Sequence, residues 1–308
     1  MARGPERPVP VPGGGVRLAN GRAERLALLT QALTASPGRV LGLGRLAEAL
    51  GVAKSTLSED LAAVNRALRT AGRGEVLSLP GAAGGIVYRP EPAEERVLDL
   101  AQALCRDLSR PERRMAGGFL FTTDVVFSPA VARDVGEVFA GRFWPARPDA
   151  VVTLETKGIP LALMTAHALG CSLVTVRRRT SVTEGPALEI NYLSGSARIQ
   201  TMSLPRRSLA AGARVLLVDD FLKAGGTARG LMDLMDEFGA EVVGLAVLIE
   251  TAEPARKLVE GHLALVRLGE RPDGTPVVEP SPTLAVRPVP APRRAAPAPP
   301  GGDGGEGR

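Results

Sequence analysis

The sequence has few of the residues that define several classes of protein. Aromatic residues make up 3% of its 308 residues, and it contains 2 cysteines and 2 histidines. Cys105 and Cys171 lie far apart, which argues against a disulfide framework and favours a reducing cytoplasm. His167 and His262 have no metal-ligand spacing, so we predict neither a metal site nor a catalytic triad. No apolar run approaches the roughly 20 residues that span a bilayer, so we expect no membrane partner.

Positive charge is concentrated at the N-terminal end of the chain. Residues 1–90 contain 12 Lys/Arg and 6 Asp/Glu, whereas the rest contains 26 and 27, giving the net charge of +5. A basic surface attracts polyanions and speeds encounter with DNA. A solvated arginine-rich surface has the same composition, so charge alone favours neither interpretation.

Residues 22–90 have the pattern of a winged helix-turn-helix domain. Apolar spacing predicts three helices, at 22–34, 43–50 and from about Lys54. The segments EVLSLP and GIVYRP, joined by a glycine-rich connection, predict a hairpin. The third helix would present its first turns to the major groove, through Lys54, Ser55, Thr56 and Ser58.

Two features of this domain leave alternatives open. A small helical subdomain used for dimer packing, or as a lid, has the same helical pattern as a DNA-binding domain. Glu59 and Asp60 are expected to interact with the dipole of the third helix rather than with DNA.

The segment 91–282 has the pattern of an α/β domain. A linker helix near 93–108 is followed by alternating strands and helices, which predicts a mostly parallel sheet flanked by helices. The predicted elements are FLFT, a helix at 129–143, VVTLE, a helix at 160–169, SLVTV, a long polar excursion, VLLVDD, a helix ending at 238, and EVVGLAVLIE. The leader 1–21 and the tail 283–308 are rich in Pro and Gly and are predicted to be disordered.

The segment VLLVDDFLKAGGT at 215–227 carries the strongest chemical signal. An apolar strand buried on both faces would end at Asp219 and Asp220, whose carboxylates accept hydrogen bonds from vicinal ribose hydroxyls. Ala224, Gly225, Gly226 and Thr227 then turn the backbone at the start of a predicted helix, where amide groups favour a phosphate. The alternative is an ordinary strand-to-helix turn with two solvated aspartates.

A second loop of this kind follows the strand VVTLE. Thr156, Lys157 and Gly158 lie at its carboxyl end, before a helix, where backbone amides and one ammonium suit a pyrophosphate. A plain loop with an exposed lysine is the alternative. Lys223 is a further candidate for phosphate binding, and Phe221 for packing beside the ligand or in the core.

These segments resemble known proteins. The stretch 215–227 looks like the 5-phosphoribosyl-1-pyrophosphate (PRPP) loop of type I phosphoribosyltransferases. TLETKGIPLA at 153–162, INYLSGSARIQTMSLPRRSL at 190–209 and residues 54–60 are similar to the Gram-positive purine operon repressors. The resemblance implies a phosphoribosyltransferase-like domain preceded by a winged helix, with residues 54–60 as the recognition helix.

The resemblance also implies a function. A homodimer would repress purine biosynthesis genes by binding their control regions, PRPP would act as inducer, and guanosine tetraphosphate would compete for the same pocket. No cofactor is expected besides PRPP, with Mg²⁺ as its candidate companion. The family is not enzymatic, and the alternative is an active purine phosphoribosyltransferase, for which the sequence identifies no nucleobase-binding segment.

Overall fold

The N-terminal domain folds into three helices and a hairpin, which confirms the predicted elements. The computed structural model describes residues 21–81, 84–115, 119–179, 185–193, 199–287 and 291–294. The first elements are α1 (Arg22–Ala35), α2 (Leu43–Leu50), α3 (Lys54–Thr70), β1 (Gly74–Leu79) and β2 (Gly85–Pro90). Strands β1 and β2 pair antiparallel. The turn between α2 and α3 begins at Gly51, whose φ of 64° is left-handed and favours glycine.

The helices of this domain pack through their predicted apolar faces. Buried side chains from the three helices and the hairpin form one core, which includes Leu29, Leu33, Leu46, Leu57, Leu61, Val64, Leu68 and Ile86. Because α3 places leucines at helical spacing, its opposite face is left for solvent.

Asp60 fixes α1 against α3, which differs from its predicted role at the helix dipole. The residue is 1% exposed. Its carboxylate accepts hydrogen bonds from Nε of Arg22 at 3.0 Å and Nε of Arg25 at 2.9 Å. A buried carboxylate requires such partners, and the two arginines lie one helical turn apart on α1. Glu59 is exposed, as expected.

In the described residues of the second domain there are five further α-helices. They are α4 (Glu94–Leu108), α5 (Thr123–Val126), α6 (Pro129–Phe143), α7 (Ile159–Leu169) and α8 (Gly226–Glu237). The predicted linker helix, α4, buries Val97, Ala101 and Leu104 in the core of this domain. Within the described ranges, no helix is both long and apolar enough to span a membrane.

The strands of this domain build a central sheet and several small ones. They are β3 (Arg114–Met115), β4 (Phe119–Leu120), β5 (Ala150–Leu154), β6 (Ser172–Val176), β7 (Ala187–Leu193), β8 (Ile199–Pro205), β9 (Arg214–Leu222), β10 (Glu241–Thr251), β11 (Val259–Glu260), β12 (Leu263–Glu270), β13 (Pro276–Pro280) and β14 (Arg293–Arg294). The central sheet has the order β13-β12-β10-β9-β5-β6. Its pairs are parallel except β12 with β13.

Apolar layers cover both faces of the central sheet, which confirms the predicted α/β class. One layer joins the sheet to α4, α6 and α7, and the other joins it to α8 and to β7 and β8. Strands β12 and β13 extend the sheet beyond the strands predicted from the sequence. The polar excursion forms the antiparallel hairpin β7–β8, in which Tyr192, Met202 and Leu204 are buried.

The predicted strand FLFT is not part of the central sheet. Its first two residues are β4, which pairs with β3 and, within the described residues, with no other strand. The guanidinium of Arg113 donates to the carbonyl of Phe121 at 3.0 Å and to the carboxylate of Asp124 at 2.7 Å. This buried arginine holds the chain in a turn that leads into α5, so an extended strand cannot continue.

Part of the segment predicted as a tail lies on the second domain. Leu284 is buried in the core, and the hydroxyl of Thr283 accepts a hydrogen bond from the backbone of Ala264 at 2.8 Å. Strand β14 pairs with β11. Residues 288–290 and 295–308, like residues 1–20 of the predicted leader 1–21, lie outside the described residues.

The two domains meet through a close backbone contact. A Cβ atom on Gly38 would lie 2.2 Å from the carbonyl carbon of Leu169, at the end of α7. The φ of Gly38 is 72°, so both its conformation and the contact require glycine. Arg73 and Glu137 form an ion pair across the same junction at 3.5 Å.

The role of Asp60 predicts a pH-dependent stability. Burial alone would raise its pKa, but hydrogen bonds and charges from Arg25 and Arg22 outweigh burial and lower the pKa below the ordinary 3.8. The ionised carboxylate therefore stabilises the fold at neutral pH, and this contribution is lost as pH falls through the lowered pKa. We expect Asp60→Asn to cost about 1 to 3 kcal/mol at neutral pH.

The measurement is hydrogen exchange across a urea series, followed on peptides from α1 and α3. It gives the difference in free energy of unfolding between Asp60→Asn and the wild type, at neutral and at acidic pH. Glu59→Gln, which changes an exposed carboxylate of the same helix, is the matched control. A loss in Asp60→Asn that is equally large in acid would contradict the ion-pair role.

Candidate functional site

Strand β9 carries two neighbouring aspartates past the point where its pairing with strand β5 stops. Val215 to Val218 are fully buried. β5 pairs with β9 only as far as Leu217, whereas β10 continues to pair with β9 as far as Leu222. Asp219 and Asp220 thus remain inside the strand, rather than following it as predicted. They lie at the carboxyl edge of the sheet, where open α/β sheets bind ligands.

The two carboxyl groups share a half-buried position. The backbone N–H of Asp220 donates to Oδ1 of Asp219 at 2.9 Å. Burial raises the pKa of both groups, and the neighbouring charge of Asp220 raises that of Asp219 further. The positive charges of Arg178 and Lys157 oppose these shifts at Asp219 and Asp220 respectively. Among the described residues, neither aspartate forms a salt bridge. The pair therefore offers acceptor oxygens that no cation of the described residues holds in a salt bridge.

The loop at 155–158 lies against the acid pair, as the sequence predicts for a shared edge. A Cβ atom on Gly158 would lie 2.8 Å from Oδ1 of Asp219 and 2.4 Å from Oγ1 of Thr153. Only glycine permits this approach. Thr156 and Lys157 are exposed, and α7 begins directly after Gly158. The peptide bond between Glu155 and Thr156 is cis.

The glycine loop closes the other side of the site. Residues Lys223 to Thr227, together with Asp219 and Phe221, line a cavity of about 140 Å³. Gly225 has a φ of 87° and precedes α8, which starts at Gly226. Within the described part of the chain, the N–H groups of residues 224–227 donate to no other group. Free amides at a helix start suit an anion.

The structure shows the positions of two further residues that the sequence offered as candidates for ligand binding, Phe221 and Lys223. Phe221 is half-buried, packs against the core and also lines the cavity, and its role beside a ligand stays a prediction. Lys223 is exposed at the mouth of the loop.

The sequence did not single out one polar network beside the acids. The backbone N–H of Arg178 donates to Oε1 of Glu155 at 2.7 Å. The guanidinium of Arg178 donates to the hydroxyl of Tyr192 at 3.1 Å and to the side chain of Gln200. A run of three arginines gave the only signal, and nothing in it distinguished Arg178 from its neighbours. The contact links the hairpin β7–β8 to the loop at 155–158.

The candidate DNA-binding residues lie in the other domain, on the N-terminal turns of α3. Lys54, Ser55 and Ser58 are exposed, and Thr56 is half-buried. The hydroxyl of Ser58 donates to the carbonyl of Lys54 at 2.9 Å. The structure therefore gathers the predicted ligand-binding residues at one edge of the sheet and keeps the predicted recognition helix, α3, separate from them.

Comparison with known proteins adds two family matches. Residues 21–90 match the family described as bacterial purine repressor, N-terminal, and residues 123–266 match the phosphoribosyl transferase domain. The order of these matches is the order of the two folded domains.

Relatives cover both domains or the second alone. The purine biosynthesis transcriptional repressor PurR of Bacillus subtilis is 42% identical over 80% of this chain and 87% of its own length. The purine biosynthesis transcriptional activator PurR of Lactococcus lactis subsp. lactis is 36% identical over 80% and 92%. The xanthine phosphoribosyltransferase of Geobacillus thermodenitrificans is 34% identical over 47% of this chain and 79% of its own length.

These matches confirm the resemblance and the fold class inferred from the sequence. A winged helix joined to a mostly parallel sheet of the phosphoribosyltransferase type is present in the structure, and a curated relative matches across both domains. The chain belongs to the bacterial purine repressor family, whose members are transcriptional regulators of purine biosynthesis.

Proposed function

We propose that this chain is a DNA-binding repressor of purine biosynthesis genes whose second domain senses PRPP. The observation that carries the proposal is the acid pair. Asp219 and Asp220 are held half-buried without a salt bridge among the described residues, directly beside residues 224–227, whose N–H groups donate to no group in the described part of the chain. Such a combination of acceptors and donors matches a sugar diol next to a phosphate.

The chemistry of PRPP fits the three parts of the site. The 2- and 3-hydroxyls of the ribose donate to the carboxylates of Asp219 and Asp220. The 5-phosphate accepts from the amides of residues 224–227, with Lys223 and Thr227 at its side. The pyrophosphate lies at Thr156, Lys157 and Gly158. A magnesium ion on the pyrophosphate would reduce its repulsion by the carboxylates, so binding is best measured with and without magnesium.

Guanosine tetraphosphate fits the same site for the same reasons. It also carries a ribose and phosphates, and the exposed part of Phe221 offers an apolar surface beside them. We propose that it competes with PRPP and does not add to it.

The sensor releases DNA only if PRPP binds the released form more tightly than the DNA-bound form. The structure offers one physical route between the sites. Helix α7 begins at the proposed pyrophosphate loop and ends at Leu169, which contacts Gly38 of the winged-helix domain. A shift of α7 on ligand binding would therefore reach the DNA-binding domain.

A homodimer is proposed because paired winged helices match repeated or symmetric DNA sites.

The alternative function is an active purine phosphoribosyltransferase, favoured by the likeness to a xanthine phosphoribosyltransferase over the second domain. An enzyme has no need of the winged-helix domain, which supports the sensor. A turnover assay with PRPP and each purine base separates the two functions, since release of pyrophosphate above the protein-free rate would establish catalysis.

The sign of regulation needs its own test, because relatives carry the names of both a repressor and an activator. We expect lower transcription from a purine promoter when this protein is added to purified RNA polymerase, and recovery when PRPP is added. An increase in transcription would assign activation instead.

Removal of the acid pair should uncouple DNA binding from PRPP. We expect Asp219→Asn with Asp220→Asn to weaken PRPP binding by about 100-fold, because two hydrogen bonds to charged groups are lost at about 1.5 kcal/mol each. DNA affinity without PRPP should change less than about twofold. Fluorescence anisotropy of labelled promoter DNA, titrated with PRPP, measures both quantities.

Asp233→Asn is the matched control for the acid pair. It removes a carboxylate from α8, where Asp233 pairs with Arg229 at 3.3 Å, outside the glycine loop. PRPP should still release DNA from this variant. Normal release from the double variant would exclude the acid pair as the diol site.

Lys54 provides the test of the DNA interface. We expect Lys54→Ala to weaken binding to any DNA sequence and to reduce the slope of log affinity against log salt by about 1, because one phosphate-neutralising cation is lost. Anisotropy titrations at several salt concentrations give the slope.

Lys223→Ala serves as the control for Lys54, since it removes an exposed lysine from the ligand loop of the other domain. Its slope should equal that of the wild type. An unchanged slope in Lys54→Ala would remove this residue from the interface.

A further inference from the structure

A buried lysine lies behind the glycine loop, on a segment to which the sequence assigned no function. Lys257 follows strand β10 and is 9% exposed. Its Nζ donates to the carbonyl oxygens of Thr251 at 2.8 Å, Lys223 at 2.9 Å and Pro254 at 3.2 Å. The first of these carbonyls belongs to the last residue of β10, the second to the glycine loop and the third to the turn after β10.

The three carbonyls use the full hydrogen-bonding capacity of the ammonium. A lysine side chain has three N–H donors and no acceptor, so each donor has one carbonyl. Burial lowers the pKa of Lys257, and no described residue forms a salt bridge with it. By donating to three backbone carbonyls, the buried ammonium holds the glycine loop to the segment at the end of β10. A neutral apolar side chain cannot form these hydrogen bonds.

The adjacent residue fixes a second peptide of the loop. The backbone N–H of Leu258 donates to the carbonyl of Ala224 at 2.8 Å. A Cβ atom on Gly225 would lie 3.2 Å from Cγ2 of Val259, so segment 257–259 supports the loop along its whole rear side. The carbonyls of two successive peptides, at Lys223 and Ala224, therefore both point towards this segment.

The direction of these carbonyls determines the direction of the amides. In a trans peptide unit, the C=O of one residue and the N–H of the next point to opposite sides. Since the carbonyls of Lys223 and Ala224 point towards segment 257–259, the N–H groups of Ala224 and Gly225 point away from it. These two N–H groups donate to no other described residue.

We propose that Lys257 is a positioning residue, which holds the glycine loop from behind so that the amides of Ala224 and Gly225 face the phosphate group of a bound phosphoribosyl ligand. The inference rests on the proposed PRPP site and assigns a role to a residue that does not touch the ligand. It also predicts that the role is confined to one end of that site, because the hydrogen bonds of Lys257 within the described residues do not reach the loop at 155–158.

The test uses two ligands that probe opposite ends of the site. Lys257→Met keeps the length of the side chain and removes its donors. We expect binding of ribose 5-phosphate to weaken about 10-fold, since about one charge-assisted hydrogen bond is lost. Inorganic pyrophosphate should bind as to the wild type. Competition with labelled PRPP, measured in the full-length protein, gives both affinities.

Two further variants separate positioning from general damage. Lys257→Arg retains a positive charge and N–H donors and should restore most of the affinity for ribose 5-phosphate. Arg256→Met removes an exposed positive charge next in the chain and should change neither ligand. Equal weakening of both ligands in Lys257→Met, or unchanged binding of ribose 5-phosphate, would overturn the proposal.

A ligand-free measurement distinguishes this inference from the proposed function. Peptide-resolved hydrogen exchange should show faster exchange in residues 221–228 of Lys257→Met and unchanged exchange in the middle of α8. Failure of PRPP to bind the wild type would reject the proposed function while this measurement still reports on the loop. Unchanged exchange in the loop would reject the positioning role.

Discussion

The structure depends on two neighbouring carboxylates that the central sheet places at its edge without neutralising them. Strand β9 is buried until Val218, and pairing with β10 keeps Asp219 and Asp220 in the strand after the pairing with β5 has stopped. Burial raises the pKa of both groups, and the charge of Asp220 raises the pKa of Asp219 further. A fold that retains such a pair loses stability, and a ligand that supplies hydrogen-bond donors recovers it.

The surrounding backbone follows from this constraint. Gly158 must lack a side chain because a Cβ atom would enter the space of the Asp219 carboxylate. On the other side, Gly225 takes a left-handed conformation that starts α8 beside the same strand. The loop at 155–158 follows β5, and the glycine loop follows β9. Because β5 and β9 are neighbours in the sheet, both loops lie at the same edge. The carboxylates thus have amide donors nearby that no described group uses.

Local pattern predicted much of this arrangement, and long-range contacts account for the rest. Helices α1, α2 and α3 were predicted because their leucines recur at helical spacing and glycine or proline ends them. The acid pair and the glycine loop were predicted because they are contiguous in sequence. The segment FLFT was predicted as a sheet strand, but Arg113 turns it. The contacts of three residues could not be predicted in this way, namely those of Asp60, Arg178 and Lys257. Each forms hydrogen bonds with residues distant in the sequence, and a single residue has no periodicity from which such a partner could be inferred.

The contact between the domains limits how a ligand can influence DNA binding. Gly38 touches Leu169 and Gly170 through backbone atoms, so no rotamer change can absorb a movement of α7 there. When α7 moves, Gly38 must therefore either move with it or lose the contact. Since α7 starts directly after Gly158, which lies beside Asp219, ordering the loop at 155–158 also orders the start of the helix. The domain junction therefore responds to occupancy of the site only if α7 has two positions, and the ligand's differential affinity for them sets the largest change in DNA affinity that it can produce.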